Sequence, residues 1–295
     1  MATPTVPVRG RTPRRGNRLL TGDFLLKNAT LVFSVVVVAV FYSLFVRPRA
    51  EYVELESQIR LREDPEGFIA PRSMAVVIKD YEQQAAITLW IWALILMTLK
   101  LRRIGVENSM LASSYLQLEA GERILPDDSL AHYKDLQAAV SARRTWQERI
   151  LPAVILSALH RFHSTSSIQD ASQSIKERTE VSAEEMEADL SLVRYIVWAI
   201  PSIGFIGTVR GIGEALAQAQ RALAGDITGV TSALGLAFNS TLVALLLSLV
   251  LMFLLHLLQV LQDKLFLDIQ NFCHERVVGV MKVPVHETGA PAYPA

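Results

Sequence analysis

Four runs of apolar residues, separated by polar and charged stretches, dominate the pattern of the chain. Each run is close in length to the roughly 20 residues that an α-helix needs to cross a bilayer. The pattern therefore predicts an all-α integral membrane protein with four transmembrane helices. The predicted spans are residues 29–46, 85–101, 193–218 and 232–257.

The first run has a second interpretation, as a cleaved signal peptide. Its apolar core is long for a signal peptide, and Arg47-Pro-Arg-Ala-Glu follows it instead of a small-residue cleavage site. We therefore expect a retained span. The fourth run is the clearest of the four, because residues 233–255 contain no charge.

Basic residues near the span ends predict the orientation, because cytoplasmic loops carry an excess of lysine and arginine. The N-terminal tail and the 47–84 loop contain six each, so the first span decides little. Residues 102–192 contain ten, whereas the turn at 219–231 contains only Arg221. We therefore expect both termini and a helical domain over residues 102–192 in the cytoplasm. The 47–84 loop and the 219–231 turn are expected in the periplasm.

The segments outside the spans have the pattern of helices. Residues 127–150 contain no glycine or proline, which predicts one long helix. Ser182-Ala-Glu-Glu185 has the form of a capping box, which satisfies free amides at a helix start. A helix beginning there is expected to run without a break into span three. Residues 258–282 are predicted to continue span four as a cytoplasmic amphipathic helix, with apolar positions at Leu258, Leu261, Leu265, Ile269 and Phe272.

The two ends of the chain have the composition of disordered segments. Pro4, Pro7, Pro13 and three glycines lie within the first 22 residues. We therefore predict a disordered, basic cytoplasmic tail over residues 1–28 and a second disordered tail over residues 283–295.

Composition excludes several classes of function. The 29 basic and 29 acidic side chains give no net charge, which argues against a nucleic-acid binder. The single cysteine, Cys273, forms no intrachain disulfide, and no Cys/His cluster suggests a metal. No spacing of a nucleophile, a base and an acid indicates an enzyme active site, so we expect no enzymatic activity.

Small residues line one face of the third span. Gly204, Gly207, Thr208 and Gly211 lie at steps of three, one and three, which places them on one side of a helix. Such a strip lets another backbone approach closely, because packing drives helix association in lipid. Pro201 removes a backbone hydrogen bond and is expected to kink the helix.

The fourth span has a matching face. Its small and hydroxyl-bearing positions, at steps of four, three and four, are Ala237, Thr241, Ala244 and Ser248. Asn239 and Ser240 lie beside this face, and Asn239 points well away from Thr241. Polar groups at membrane depth are costly unless partnered, so they normally face a bundle interior or a water-filled path.

Two interpretations of these polar groups stay open. The hydroxyls of Thr208 and Thr241 either bond back to their own helix carbonyls or face a path for ions. Arg210 and Glu214, four residues apart, either form an ion pair at the outer membrane boundary or place a charge on that path.

Together the last two spans resemble the MotA/TolQ/ExbB proton-channel family. The motif is Pro201-x-x-Gly204-x-x-Gly207-Thr208-Val209-x-Gly211, then a short outward turn and Ala237-x-x-Ser240-Thr241 in an apolar span. The resemblance covers roughly residues 191–281, and a large helical segment before an outward-closing hairpin agrees with it.

The resemblance implies a homo-oligomer, usually a pentamer, around a dimer of a single-span MotB/TolR/ExbD-like protein in the bacterial inner membrane. The partner supplies a membrane aspartate, and proton flow moves the ring against it. By this analogy the ion pathway consists of Thr208, Thr241, Ser240 and Asn239. The residues that pack against partner helices are then Pro201, Gly204, Gly207, Gly211, Ala237 and Ala244. No cofactor is expected, and the energy source is expected to be the proton motive force. A channel that conducts sodium instead of protons would share these residues.

This chain departs from the family pattern in two ways. ExbB-like members carry a glutamate in the last span where Leu236 stands here, so this chain alone lacks a deep carboxylate to relay protons. It also has four spans where TolQ and ExbB have three. MotA has four, but the 47–84 loop is longer than expected for MotA.

A non-conducting oligomeric membrane scaffold, using the glycine strip only for assembly, is the competing hypothesis. A membrane enzyme has no supporting residues. The process that ion flow would power also stays open, among flagellar rotation, outer-membrane transport, envelope maintenance, gliding and defence.

Overall fold

A computed structural model describes residues 16–63, 73–111 and 123–283 of the chain, and these residues are helical almost throughout. Within them no strand occurs, and Ile124 and Met281 form one isolated parallel bridge. The predicted all-α fold is therefore confirmed. The helices are α1 (Gly16–Phe41), α2 (Arg47–Glu63), α3 (Met74–Val77), α4 (Tyr81–Leu111), α5 (Pro126–Ala142), α6 (Ile150–Thr165), α7 (Ile168–Ala188), α8 (Ser191–Ala217), α9 (Ala219–Leu223) and α10 (Thr228–Arg276).

Four helical stretches are long and apolar enough to cross a membrane. Each overlaps one of the predicted spans, and only residue 218 of the third span lies outside its stretch. They are Phe24–Ser57, Tyr81–Leu111, Ile168–Ala217 and Thr228–Val280. The contacts divide the chain into two compact units, one from Met1–Leu96 with Trp198–Leu249 and the other from Met97–Val197 with Val250–Ala295.

A π-helical turn, Tyr42–Val46, joins α1 to α2. It ends two residues before Pro48, which has no N–H to donate to the carbonyl four residues earlier and whose ring clashes with that carbonyl. In the wider turn Arg47 N donates to Tyr42 O instead. The turn lets the helix continue past the proline, which is the usual use of such a bulge.

The first unit packs α1 against α4. Val38, Tyr42 and Val46 are buried together, and Ile87 and Ile91 pack against them. Trp92 Nε1 adds a polar contact by donating to Thr30 Oγ1 at 3.1 Å. Many apolar side chains on the other faces are exposed, as expected for helices that contact lipid.

The second unit has α6 at its centre. Leu151, Val154, Ile155, Leu159 and Phe162 are fully buried there, and α5 and α7 pack against this helix. Because burial of one such side chain contributes roughly 1.5–3 kcal/mol, this cluster carries much of the stability of the unit.

The N-terminal tail differs from the prediction. Helix α1 begins at Gly16, so residues 16–28 are helical rather than disordered. No proline lies between Pro13 and Pro48, and the apolar run of the span extends helix formation backwards. The remaining parts of the predicted tails, residues 1–15 and 284–295, lie outside the described residues.

The predicted helix over residues 127–150 is two helices. Helix α5 ends at Ala142 and α6 begins at Ile150, with Trp146 N donating to Arg143 O in the turn between them. The absence of glycine and proline did not prevent this break. Pro152 lies in the first turn of α6, where proline is favoured, and it marks the new start.

The prediction that a capping box at Ser182 begins a helix is also wrong. Ser182 lies inside α7, where its hydroxyl donates to Arg178 O at 3.0 Å. Ser167 caps the helix instead, accepting a hydrogen bond from Asp170 N at 3.2 Å. The expected continuous helix into span three is interrupted between Ala188 and Ser191.

Helix α10 continues past span four, as predicted, and ends at Arg276. Leu258, Leu265 and Ile269 are buried. Leu261, by contrast, is 37% exposed. Gln262 is buried in its place, so the buried stripe continues at steps of three and four residues and ends on Cys273.

Candidate functional site

Small residues bring α8 and α10 into close contact in the first unit. A Cβ atom built on Gly204 would lie 2.5 Å from Ala244 Cβ, and one on Gly211 would lie 2.7 Å from Ala237 Cβ. Both distances are too short for real atoms, so the two helices pack at this separation only because these positions are glycine.

This packing changes the role predicted for the glycine strip. The strip was expected to receive partner helices, but Gly204, Gly207 and Gly211 face α10 of the same chain. Ala237 and Ala244 are fully buried in the same contact. A partner helix therefore has to approach on another face of the pair.

Thr208 and Thr241 meet inside this contact. Their hydroxyl oxygens are hydrogen-bonded to each other. Thr241 Oγ1 lies 3.1 Å from Gly204 O, and Thr208 Oγ1 lies 3.2 Å from Ala237 O. Each hydroxyl thus reaches a carbonyl of the opposite helix, in addition to the bond from Thr208 to its own helix at Gly204 O.

Ser240 joins the same group, whereas Asn239 does not. The Ser240 hydroxyl is buried, donates to Ala237 O at 2.9 Å and lies 3.4 Å from Gly204 O. We call Thr208, Ser240 and Thr241 the hydroxyl cluster. Asn239 points away from it into a separate cleft.

The cleft that contains Asn239 is the second polar feature of the unit, and we call it the Asn239 cleft. It has a volume of about 370 Å³. Leu236, the position at which this chain departs from the glutamate of ExbB-like members, contributes to its wall. Its charged and amide side chains are Glu54, Lys79, Asp80, Glu214, Gln218 and Asn239.

Asp80 is a titratable group of the cleft whose surroundings shift its pKa. Burial raises the pKa of its carboxyl, and the nearby carboxylates of Glu82 and Glu54 act in the same direction. The positive charges of Lys79 and Arg210 oppose that rise. Asp80 Oδ2 is enclosed and has no hydrogen-bond partner.

Arg210 pairs with a residue that the sequence pattern did not indicate. Its Nε lies 2.8 Å from Glu82 Oε1, and its Nη2 donates to Glu82 Oε2 at 3.0 Å. Glu214 is a second, longer partner at 3.7 Å. The ion pair predicted between Arg210 and Glu214 is therefore present, but Glu82 on α4 is the closer partner.

Glu82 also connects this ion pair to the hydroxyl cluster. Its Cγ lies 3.3 Å from the Cβ position of Gly207, which in turn faces the Ser240 hydroxyl. The signal in the sequence was weak, since Glu82 is an acidic residue just before an apolar run, as at many helix starts.

Pro201 lies within α8 three residues before Gly204, and the helix is continuous through it.

Among the described residues, no group of three His, Cys, Asp or Glu side chains is placed to hold a metal ion.

Residues 146–271 match the family model of the MotA/TolQ/ExbB proton channel family. The match includes α6, α7, α8 and most of α10, so both sides of the hydroxyl cluster lie within it. Over these residues, which are less than half of the chain, the sequence is similar to this family, and this supports the predicted resemblance. Comparisons with curated proteins and with solved structures gave no match.

The fold and the match together define the class of protein. The chain is an all-α, multi-pass membrane protein that is similar, over residues 146–271, to the proton channel family.

Proposed function

We propose that this chain is the ring-forming subunit of an ion-driven motor, in which proton flow past Thr208 and Thr241 is coupled to mechanical work through a single-span partner. The observation that carries the proposal is the direct contact of the two hydroxyls between neighbouring helices of a proton-channel domain. Polar groups at membrane depth normally face a bundle interior or a water-filled path, and an ion path is one such setting.

One arrangement of hydrogen bonds satisfies the whole hydroxyl cluster. Thr241 donates to Gly204 O, Ser240 donates to Ala237 O, and Thr208 donates to Thr241 Oγ1. Both lone pairs of Thr208 Oγ1 are then left as acceptors. A protonated carboxyl group brought close to Thr208 could therefore donate to it.

A second protein is needed to supply that carboxyl group. Glu82 lies near the cluster, but the Arg210 guanidinium contacts both of its carboxylate oxygens. A carboxylate held in this way is a poor carrier of protons. This supports a partner whose single span carries an aspartate, as in the MotB, TolR and ExbD proteins.

We further propose a homo-oligomer, most simply a pentamer, surrounding a dimer of that partner in the bacterial inner membrane, with both termini cytoplasmic. Large apolar side chains remain exposed on α8 and α10, among them Phe205, Val209, Phe238 and Leu242. These faces are suited to lipid and to neighbouring subunits. Protons are the favoured ion, and sodium is the alternative.

The scaffold alternative depended on a glycine strip free for assembly. In the structure this strip is occupied by α10 of the same chain. The scaffold hypothesis therefore lacks the free glycine strip on which it rested. It also does not explain why two hydroxyls meet between two spans.

The test is proton flux into membrane vesicles that contain this chain and a single-span protein encoded beside it. We expect T208V/T241V to lose at least about tenfold in flux, since the variant keeps the shape of both side chains without their hydroxyls. T88V is the matched control, because Thr88 Oγ1 bonds only to its own helix at Gln84 O. Equal flux in the double variant and the wild type would contradict the proposal.

A further inference from the structure

A chain of contacts leads from the Asn239 cleft to the hydroxyl cluster through one ion pair. Glu214 lines the cleft and lies 3.7 Å from Arg210. Arg210 is paired with Glu82, and Glu82 lies against Gly207 beside the Ser240 hydroxyl. The Glu82–Arg210 pair thus lies between the two polar features of the unit.

The charges of the cleft suit a cation. Its wall carries the carboxylates of Glu54, Asp80 and Glu214 and the ammonium of Lys79, which is paired with Glu54. Clefts lined by an excess of one charge concentrate ions of the opposite sign. The positive charge of Arg210, which lies 3.7 Å from Glu214 of the cleft wall, would by itself oppose this attraction.

The charge of Arg210 acts on the cleft, since it opposes the rise that burial causes in the pKa of Asp80. Its side chain is 37% exposed, whereas that of Glu82 is only 13% exposed. Glu82 therefore neutralises Arg210 from the more buried side, while the guanidinium reaches the cleft wall through Glu214.

We propose that the Glu82–Arg210 pair sets the access of cations from the Asn239 cleft to the Thr208–Thr241 pair, and this inference rests on the proposed function. Glu82 is a positioning residue that holds and neutralises the guanidinium. When the pair is intact, a cation passes a guanidinium that Glu82 neutralises at close range. When Glu82 is lost, the cation meets a positive charge that only the more distant Glu214 offsets.

The alternative is a purely structural role, in which the Glu82–Arg210 ion pair only holds α4 against α8. The two roles predict different patterns among three variants. A purely structural tie is broken equally by E82Q and by R210Q, and the double variant E82Q/R210Q is no better than either. An electrostatic role gives opposite directions for the single variants, because one leaves a positive charge and the other leaves a negative one.

The experiment measures proton flux into vesicles carrying the full chain with its single-span partner. We expect E82Q to lower the flux about tenfold, R210Q to raise it above the wild-type value, and E82Q/R210Q to restore it to within about twofold. E180Q is the matched control, because it removes the acid of an exposed ion pair with Lys176 in the other unit.

Salt adds a readout that a structural tie would not change. At about 1 M salt the Debye length falls to about 3 Å, so the exposed guanidinium is screened. The flux deficit of E82Q should therefore shrink at high salt relative to the wild type. A deficit that is independent of salt would contradict the inference.

The outcomes also separate this inference from the proposed function. Wild-type flux that is lost in T208V/T241V but unchanged in E82Q rejects the ion-pair role alone. Flux that is indifferent to both threonines rejects the proposed function. If E82Q does not assemble, R210Q and the double variant decide: a tenfold loss in either contradicts an electrostatic role.

Discussion

Thr208 on α8 and Thr241 on α10 are hydrogen-bonded to each other, although 33 residues separate them in the chain. The carbonyl of Gly204, one turn before Thr208, also accepts the Thr241 hydroxyl at 3.1 Å. That approach depends on glycine, because a Cβ on Gly204 would lie 2.5 Å from Ala244 Cβ. The helix packing and the hydroxyl contact are therefore parts of one feature.

Gly204→Ala should destabilise the protein because the added methyl group has no space beside α10. Overpacking of this kind costs about 1–3 kcal/mol, and the melting temperature of the full chain in detergent should fall accordingly. Gly213→Ala is the matched control, since a Cβ there has no atom within 4 Å. It should be neutral or stabilising in its helix. A G204A variant as stable as G213A would contradict the packing.

Glu107→Ala should destabilise the second unit. Glu107 is fully buried, accepts a hydrogen bond from Ile150 N at 3.3 Å, and pairs with Arg149. Breaking a buried ion pair from one side costs about 3–5 kcal/mol. Hydrogen exchange at the first amides of α6 should also become faster. Glu148→Ala, at an exposed position in the same turn, should change neither quantity.

Asp80→Asn should stabilise the protein near neutral pH. Burial raises the pKa of Asp80, so the folded protein binds this proton more tightly than the unfolded chain does. The free energy of unfolding should therefore rise as the pH falls through the raised pKa towards the ordinary value of a carboxyl group, and it should fall again as the pH rises. D80N removes this dependence.

The measurement is the melting temperature at about pH 7 and about pH 5. D80N should gain about 1–3 °C at the higher pH and show a smaller rise towards the lower pH than the wild type. Asp226→Asn is the control of opposite sign, because a hydrogen bond from Thr228 lowers the pKa of Asp226. A D226N variant that gains as much as D80N would show that the gain is not specific.

Cys273 should resist thiol reagents until the protein unfolds, because its side chain is fully buried on α10. Labelling of the folded protein with a maleimide should be at least about a hundredfold slower than labelling of C273A/H274C. His274 is exposed and adjacent, so this variant moves the thiol by one position. Similar rates for the two proteins would contradict the buried stripe of α10.

Much of the membrane part could be predicted from the sequence, because a bilayer demands long apolar helices and these are visible as runs. The small faces of α8 and α10 were also visible, from the steps between Gly204, Gly211, Ala237 and Ala244. Which surface each face contacts was not visible, because a strip of glycines suits any backbone. Only the structure shows that the two strips contact each other.

Contacts between distant residues explain the other misses. Glu214 is the acid that helical spacing offers to Arg210, whereas Glu82 lies 128 residues away in sequence and is the closer partner. At the break between α5 and α6, likewise, Glu107 accepts a hydrogen bond from the amide of Ile150, which lies 43 residues away in sequence. Local propensity does not contain such information.

The central claim is that the hydroxyl of Thr208, and not the shape of its side chain, serves the ion path. The most direct measurement compares proton flux in T208S and T208V in vesicles with the partner present. Serine keeps the hydroxyl and loses the methyl group, while valine keeps the shape and loses the hydroxyl. If the hydroxyl serves the ion path, T208S should keep a flux within about threefold of the wild type, and T208V should lose at least about tenfold. Normal flux in T208V, or an equal loss in both variants, would contradict it.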